Sequence, residues 1–129
     1  LEADLAAGTP DGIDGYFENV GGAVLDAVLG RMNAFGRIAV CGLIAGYNDE
    51  PIPVQRFNSV LLNRLRIQGF IVSEVPDAWP PALAELAAKV ADGSLKYRET
   101  IAHGLDAAPA AFIGLLRGEK LGKQLVALD

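Results

Sequence analysis

Cysteine and histidine occur once each among 129 residues, as Cys41 and His103, and that scarcity excludes a good deal of chemistry. One cysteine makes no internal disulfide, so a reducing cytoplasm is the expected compartment. A zinc site needs three or four Cys, His or carboxylate ligands at suitable spacing, which one Cys and one distant His do not supply, so no metal is expected. Cations are in the minority: eleven Lys and Arg against sixteen Asp and Glu give a formal charge of −5. With aromatics at 7% and no basic cluster interleaved with them, no nucleic-acid surface is expected. Apolar runs stop well short of the ~20 residues that span a bilayer, so no membrane partner is expected. The opening Leu1-Glu2-Ala3-Asp4 is acidic and does not read as the basic start of a signal peptide.

What the chain does have is apolar residues, at 51%, and fifteen glycines. Its length is that of one ordinary domain, able to bury roughly two thirds of its unfolded surface. Leu1 to Ala7 read as the last turns of a helix, followed by a turn over Gly8-Thr9-Pro10-Asp11-Gly12. A helix that starts in mid-pattern without a capping residue suggests a segment of something longer.

The most informative stretch is Gly12 to Gly22, a short apolar strand (13–18) that runs into a glycine turn and then a helix. That helix is expected from Gly22 to Ala34, because Val24, Leu25, Val28, Leu29, Met32 and Phe35 make one apolar stripe and Gly36 can close it. A second strand, 37–41, also ends at a glycine, Gly42. The long loop over 43–55 holds Gly46, Asn48, Pro51 and Pro53, and connections of that length are often functional. A short helix over 56–64 and a third strand over 65–72 follow. Pro80 and Pro81 open another helix, with Leu83, Leu86, Ala87 and Val90 inward and a stop at Asp92-Gly93. A strand over 97–103, a helix over 107–117 capped by Asp106 with Phe112, Leu115 and Leu116 buried, and a last strand over 123–128 complete the chain.

These elements describe an α/β fold, the second half of a doubly wound parallel sheet. Such sheets bind ligands beyond the carboxyl ends of their strands, where strand ends and helix starts can offer free N–H groups to an anionic cofactor. The glycine fingerprint G-x-G-x-x-G of a first half is not present. The final strand–helix–strand would need a partner sheet outside this segment.

Four motifs occur in order: Tyr16-Phe17-Glu18-Asn19-Val20-Gly21-Gly22, then Gly36 to Gly42 followed by Tyr47-Asn48, then Gln68-Gly69-Phe70-Ile71-Val72, then Leu121-Gly122-Lys123-Gln124. Together they resemble the C-terminal part of the zinc-independent medium-chain dehydrogenase/reductases, and within these the NADPH-dependent enone and alkenal double-bond reductases of the prostaglandin reductase (leukotriene 12-hydroxydehydrogenase) type. The resemblance implies that residues 1–93 belong to a Rossmann-type nicotinamide domain and that 94–129 return to the catalytic lobe. It implies NADP as cofactor and hydride transfer to the β-carbon of an α,β-unsaturated ketone or aldehyde. It also implies a homodimer through the strand around Phe70 to Val72, an apolar edge that favours a partner.

Read alone, Asn19, Gly21 and Gly22 are an ordinary strand-to-helix turn, Cys41 a small buried hydrophobe, Tyr47 a surface aromatic and Phe70, Ile71 and Val72 core. The resemblance implies that Asn19 and Gly21 lie against the nicotinamide ribose, with Cys41 and Gly42 in a similar place. It puts the backbone of Phe70, Ile71 and Val72 beside the carboxamide. It makes Tyr47, which faces both substrate and cofactor, the candidate for chemistry: its hydroxyl can bond the substrate oxygen or relay a proton. Lys120 departs from the Asn common at that position in the related reductases, which puts a cofactor role there in doubt. His103 reads as structural. The phosphate loop lies outside these residues, so the resemblance implies that the segment alone binds NADPH weakly or not at all. Two other readings stand beside this one: a quinone reductase of the same superfamily, and a non-catalytic α/β dimerisation module.

Overall fold

The computed structural model describes residues 1–48 and 51–128. Residues 49 and 50 of the expected 43–55 loop lie outside the described residues. The chain divides into two compact units, Leu1–Val75 and Pro76–Asp129.

In the first unit, helix α1 (Glu2–Gly8) precedes strand β1 (Ile13–Glu18), helix α2 (Gly22–Leu29), strand β2 (Met32–Val40), helix α3 (Asn58–Leu62) and strand β3 (Arg66–Gly69). The three strands form one parallel sheet in the order β1-β2-β3. The register sets Tyr16 beside Ile38 and Ile67, and Glu18 beside Val40 and Gly69. Alternation puts these residues on one face and Phe17, Ala39 and Gln68 on the other. The core lies on the first face: Val28 and Leu29 of α2 meet Met32 and Ile38 of β2, with Leu5, Tyr16, Val40 and Val60 packed around them.

Strand β1 falls where the sequence places it, but the following helix does not. The apolar stripe predicts a helix over 22–34, whereas α2 stops at Leu29 and β2 already starts at Met32. The reversal is fixed at Arg31. Its N–H donates to the Val28 carbonyl, its carbonyl accepts from Ile13 N–H at 3.0 Å, and its guanidinium binds the Thr9 carbonyl and hydroxyl. Strand pairing therefore captures the chain before another helical turn can form. Met32 keeps its buried place, but as a strand residue. Gly36, expected as a helix stop, lies inside β2.

Between the pairs Ile13–Met32 and Gly15–Arg37 the ladder is irregular. Asn33 to Gly36 bulge there, with Phe35 at φ 66°, its N–H donated to the Asn63 carbonyl at 2.7 Å, and the Arg64 guanidinium 4.5 Å from its ring centre. The third strand ends at Gly69, short of the expected 72. Phe70 N–H still donates to the Val40 carbonyl at 3.1 Å, and a 3-10 turn then takes Val72–Glu74.

In the second unit, helix α4 (Trp79–Ala91) carries prolines in its first turn. Strands β4 (Glu99–His103) and β5 (Lys123–Ala127) flank helix α5 (Ala108–Leu116) and pair with each other in parallel. The last strand–helix–strand therefore makes a two-stranded sheet of its own. Asp106 sits in a 3-10 turn over Leu105–Ala107 and does not cap α5. The buried residues of α5 are Ala111 and Gly114, whereas Phe112 is 61% exposed and Leu115 is also exposed. Small residues let the helix approach closely: a Cβ on Gly114 would lie 3.3 Å from the Lys120 stem and 3.1 Å from a Glu119 carboxylate oxygen. Leu83, Leu86, Ala87 and Val90 of α4, expected inward, are exposed. A two-stranded sheet with one further helix has too little surface to cover every apolar stripe in so small a unit.

Leu29 is 1% exposed at the centre of the first unit. Leu29→Ala is expected to cost about 2–5 kcal/mol of stability in denaturant unfolding. Leu61→Ala, at a residue 79% exposed, is expected to change stability by no more than about 0.5 kcal/mol.

Candidate functional site

The carboxyl ends of β1 and β2 open into two turns that are laced to each other. The Glu18 carbonyl accepts N–H groups from Cys41 (2.9 Å) and Gly42 (3.2 Å), the Asn19 carbonyl accepts from Ile44 (3.2 Å), and the Val20 carbonyl accepts from Ala45 (2.9 Å). The Glu18 side chain fixes the first of the two turns from within. It is fully buried, and its Oε1 accepts from the N–H groups of Val20 (2.5 Å) and Gly21 (2.9 Å) and from the Tyr16 hydroxyl (3.3 Å). Burial, then the neighbouring carboxylate and the hydrogen bond to it, push the Tyr16 hydroxyl above its usual pKa. Tyr16 is thus held protonated as a donor.

This lacing corrects one expectation. The N–H groups of Val20, Gly21, Cys41 and Gly42 are consumed within the protein and are not offered to an anionic ligand. A carboxylate already stands at the start of α2, where the helix dipole favours negative charge. The two turns instead present the exposed Asn19 side chain and the bare Cα face of Gly42. A Cβ on Gly42 would lie 3.2 Å from Asn19 Oδ1 and 3.6 Å from the Tyr47 hydroxyl, so these three residues meet closely. Gly21 is required for a different reason. Its backbone, at φ 78° and ψ −166°, occupies a region essentially restricted to glycine, and a Cβ there would press on Leu43 at 3.1 Å.

Beyond the ends of β2 and β3 lies an open cleft of about 480 Å³, whose lining includes Cys41, Gly42, Tyr47, Phe70, Ile71 and Glu74. Five residues singled out from sequence therefore share one cleft. Asn19 borders it through Gly42, while Gly21 sits behind Leu43. Val72 is not among the lining residues, because the chain turns away at the 3-10 turn that starts there. The Phe70 ring lies edge-to-face with Phe17, 5.8 Å between centres, which anchors the far wall. Tyr47 follows the 3-10 turn Ile44–Gly46 and is largely exposed, leaving its hydroxyl available as a donor.

Glu18 and Glu74 are the residues that sequence reasoning missed. An acid at a strand end just before a glycine pair and a helix is a legible sign of an internal cap. Nothing in spacing or composition points to Glu74, which the 3-10 turn carries to the cleft. Among the described residues no three His, Cys, Asp or Glu side chains converge as metal ligands. His103 ends β4 opposite Ala127, and Lys120 packs along Gly114, both in the second unit.

Comparison with known proteins shows the family and the fold. The 2-alkenal reductase (NADP(+)-dependent) of Nicotiana tabacum is 45% identical over 127 residues, which cover 98% of this chain and 37% of that protein. Prostaglandin reductase 1 of Sus scrofa is 43% identical over 129 residues, 98% of this chain and 39% of that protein. The crystal structure of CurA in complex with NADPH from Vibrio vulnificus superposes with a TM-score of 0.86 at 39% identity, covering 99% of this chain and 40% of that one. The chain thus spans somewhat over a third of the length of the curated relatives it matches. The zinc-binding dehydrogenase family matches residues 1–88, and the chain belongs to that family.

Proposed function

We propose that this chain forms the nicotinamide-facing part of an NADPH-dependent oxidoreductase that reduces the C=C bond of α,β-unsaturated aldehydes and ketones. In this reading residues 1–93 belong to the dinucleotide-binding domain and 94–129 to the substrate lobe. The observation that carries it is the cleft beyond β2 and β3, which gathers Cys41, Gly42, Tyr47, Phe70 and Ile71 beside Asn19. The names of the tobacco and pig relatives and the NADPH in the Vibrio structure support the substrate class and the cofactor. They favour alkenal reduction over quinone reduction.

The residues present fit the nicotinamide–ribose end of such a cofactor better than its phosphates. The N–H groups of Val20, Gly21, Cys41 and Gly42 are spent on Glu18, and a buried carboxylate behind the wall disfavours a second anion. What is left is an open surface that carries the Tyr47 phenol, the Asn19 amide, the Cys41 thiol and the Glu74 carboxylate between apolar residues, suited to an uncharged ring and a sugar hydroxyl and ill suited to a phosphate. When bound, NADPH supplies the hydride. The chain's own task is to hold the ring against Gly42 and to place a donor where negative charge develops on the substrate oxygen. Tyr47 is that donor, with Asn19 and the bare face of Gly42 setting its surroundings. No described helix is long and apolar enough to cross a membrane, and with a single thiol this favours a cytoplasmic enzyme. The edge of β3 and the exposed Ile71 and Val72 after it are the proposed surface of a homodimer.

The whole protein is expected to oxidise NADPH faster with a 2-alkenal than with a quinone, followed by absorbance. The reverse preference favours the quinone reductase, and no turnover with either favours a dimerisation module. Tyr47→Phe is expected to lower kcat by about ten- to a hundred-fold with KM for NADPH little changed, since removal of one donor to a developing oxyanion costs up to about 3 kcal/mol. Gly42→Val is expected to raise KM for NADPH about tenfold, as its side chain takes the space between Asn19 and Tyr47. Light scattering is expected to show a dimer that Ile71→Asp weakens at least tenfold, because an aspartate would bury a charge in the joint.

A further inference from the structure

We propose that Glu18, which touches neither substrate nor cofactor in the reading above, is the positioning residue of the site. Its carboxylate fixes the shape of the Asn19 turn, and so sets the main-chain carbonyls of that turn where the Cys41–Gly42 turn docks. The inference deepens the double-bond reductase reading and rests on it for its kinetic consequences, but its structural content stands independently.

Few side chains in the molecule are as enclosed as this one, and it is the only charged side chain among the buried described residues. Its two acceptor groups work in opposite directions. The main-chain carbonyl holds the β2 turn through Cys41 and Gly42, and the carboxylate holds its own turn through Val20 and Gly21. One residue therefore fixes four N–H groups drawn from both walls that meet at Asn19, Gly42 and Tyr47. Tyr16, two residues earlier on the same face of β1, braces the carboxylate from below. Nothing in folding the sheet requires a charge here. An apolar residue on this face would join Ile38 and Val40 in the core at lower desolvation cost. The expense of a buried carboxylate is explained if its product is the geometry of the turns. Oε2 has no protein partner among the described residues, so the bonds through Oε1 are the ones that count. A glutamine keeps a carbonyl oxygen of the same reach at that position.

The test compares Glu18→Leu and Glu18→Gln with the unaltered protein, using amide hydrogen exchange together with steady-state kinetics per folded molecule. For Glu18→Leu, protection of segment 19–22 is expected to fall about tenfold, the loss expected when hydrogen bonds to a charged acceptor are removed locally. Segment 41–47 is expected to fall with it because its acceptors, the carbonyls of Glu18, Asn19 and Val20, lie in the loosened turn, while segments 24–29 and 36–40 hold. KM for NADPH is expected to rise about tenfold, with kcat lowered by less. Glu18→Gln is expected to restore both readouts to within about threefold of the unaltered protein, because its acceptor remains. Unchanged exchange in Glu18→Leu overturns the proposal. So does a uniform loss of protection across the first unit or a failure to fold, since either assigns Glu18 to the core and not to the site. If the unaltered protein does not oxidise NADPH with an alkenal, the functional reading fails, and the exchange pattern still decides the role of Glu18.

Discussion

A carboxylate removed from water needs donors, and Glu18 finds them in the backbone of the turn that follows it and in the Tyr16 hydroxyl. Hydrogen bonds to a charged group are worth about 1.5–3 kcal/mol each, enough to hold a short turn in a conformation that only glycine tolerates at Gly21. From that point the architecture of the cleft follows. The fixed β1 turn offers its carbonyls to Cys41, Gly42, Ile44 and Ala45, the β2 turn closes onto it, and Tyr47 is delivered by the 3-10 turn at the end of the same ladder.

The same bonds decide what the cleft can take. Strand ends in a parallel sheet usually recommend themselves to phosphates because their N–H groups are open. Here Glu18 takes up four of them, Val20 and Gly21 with its carboxylate and Cys41 and Gly42 with its main-chain carbonyl. In the proposed reading phosphate recognition therefore belongs elsewhere, and these turns face the uncharged end of the cofactor. Cys41 fits this arrangement as an exposed lip of the cleft, not as the buried hydrophobe that cysteine most often is.

Much of this was legible from residues alone, and the failures have physical causes. Strand β1 was readable to its ends because glycines and a turn flank a short apolar run, and α4 because two prolines mark its first turn. Asn19, Cys41, Gly42, Tyr47, Phe70 and Ile71, bland when read singly, were singled out only through the resemblance that the order of the motifs carries; the structure sets five of them along one cleft with Asn19 at its border. The end of α2 was not readable, because Met32 and Phe35 satisfy the helical spacing while belonging to a bulged strand. Only the long-range bonds of Arg31 to Ile13 and Thr9 settle the matter, and no local window contains them. In α5, reading by bulk selected Phe112 and Leu115, whereas contact distance selected Ala111 and Gly114. Glu18 was visible as a letter within a motif, but its burial depends on two turns that meet only in three dimensions.

The irregular ladder between β1 and β2 has a consequence of its own. Between the pairs Ile13–Met32 and Gly15–Arg37, one residue of β1 faces four of β2, and the surplus is taken up at Phe35, steadied by the Asn63 carbonyl and the Arg64 guanidinium. The slack lies at the amino-terminal end of the strands, while everything from Gly15–Arg37 to Glu18–Val40 stays in strict step. Changes of length near Asn33 to Gly36 can thus be absorbed like an expansion joint, leaving the opposite rim of the sheet undisturbed.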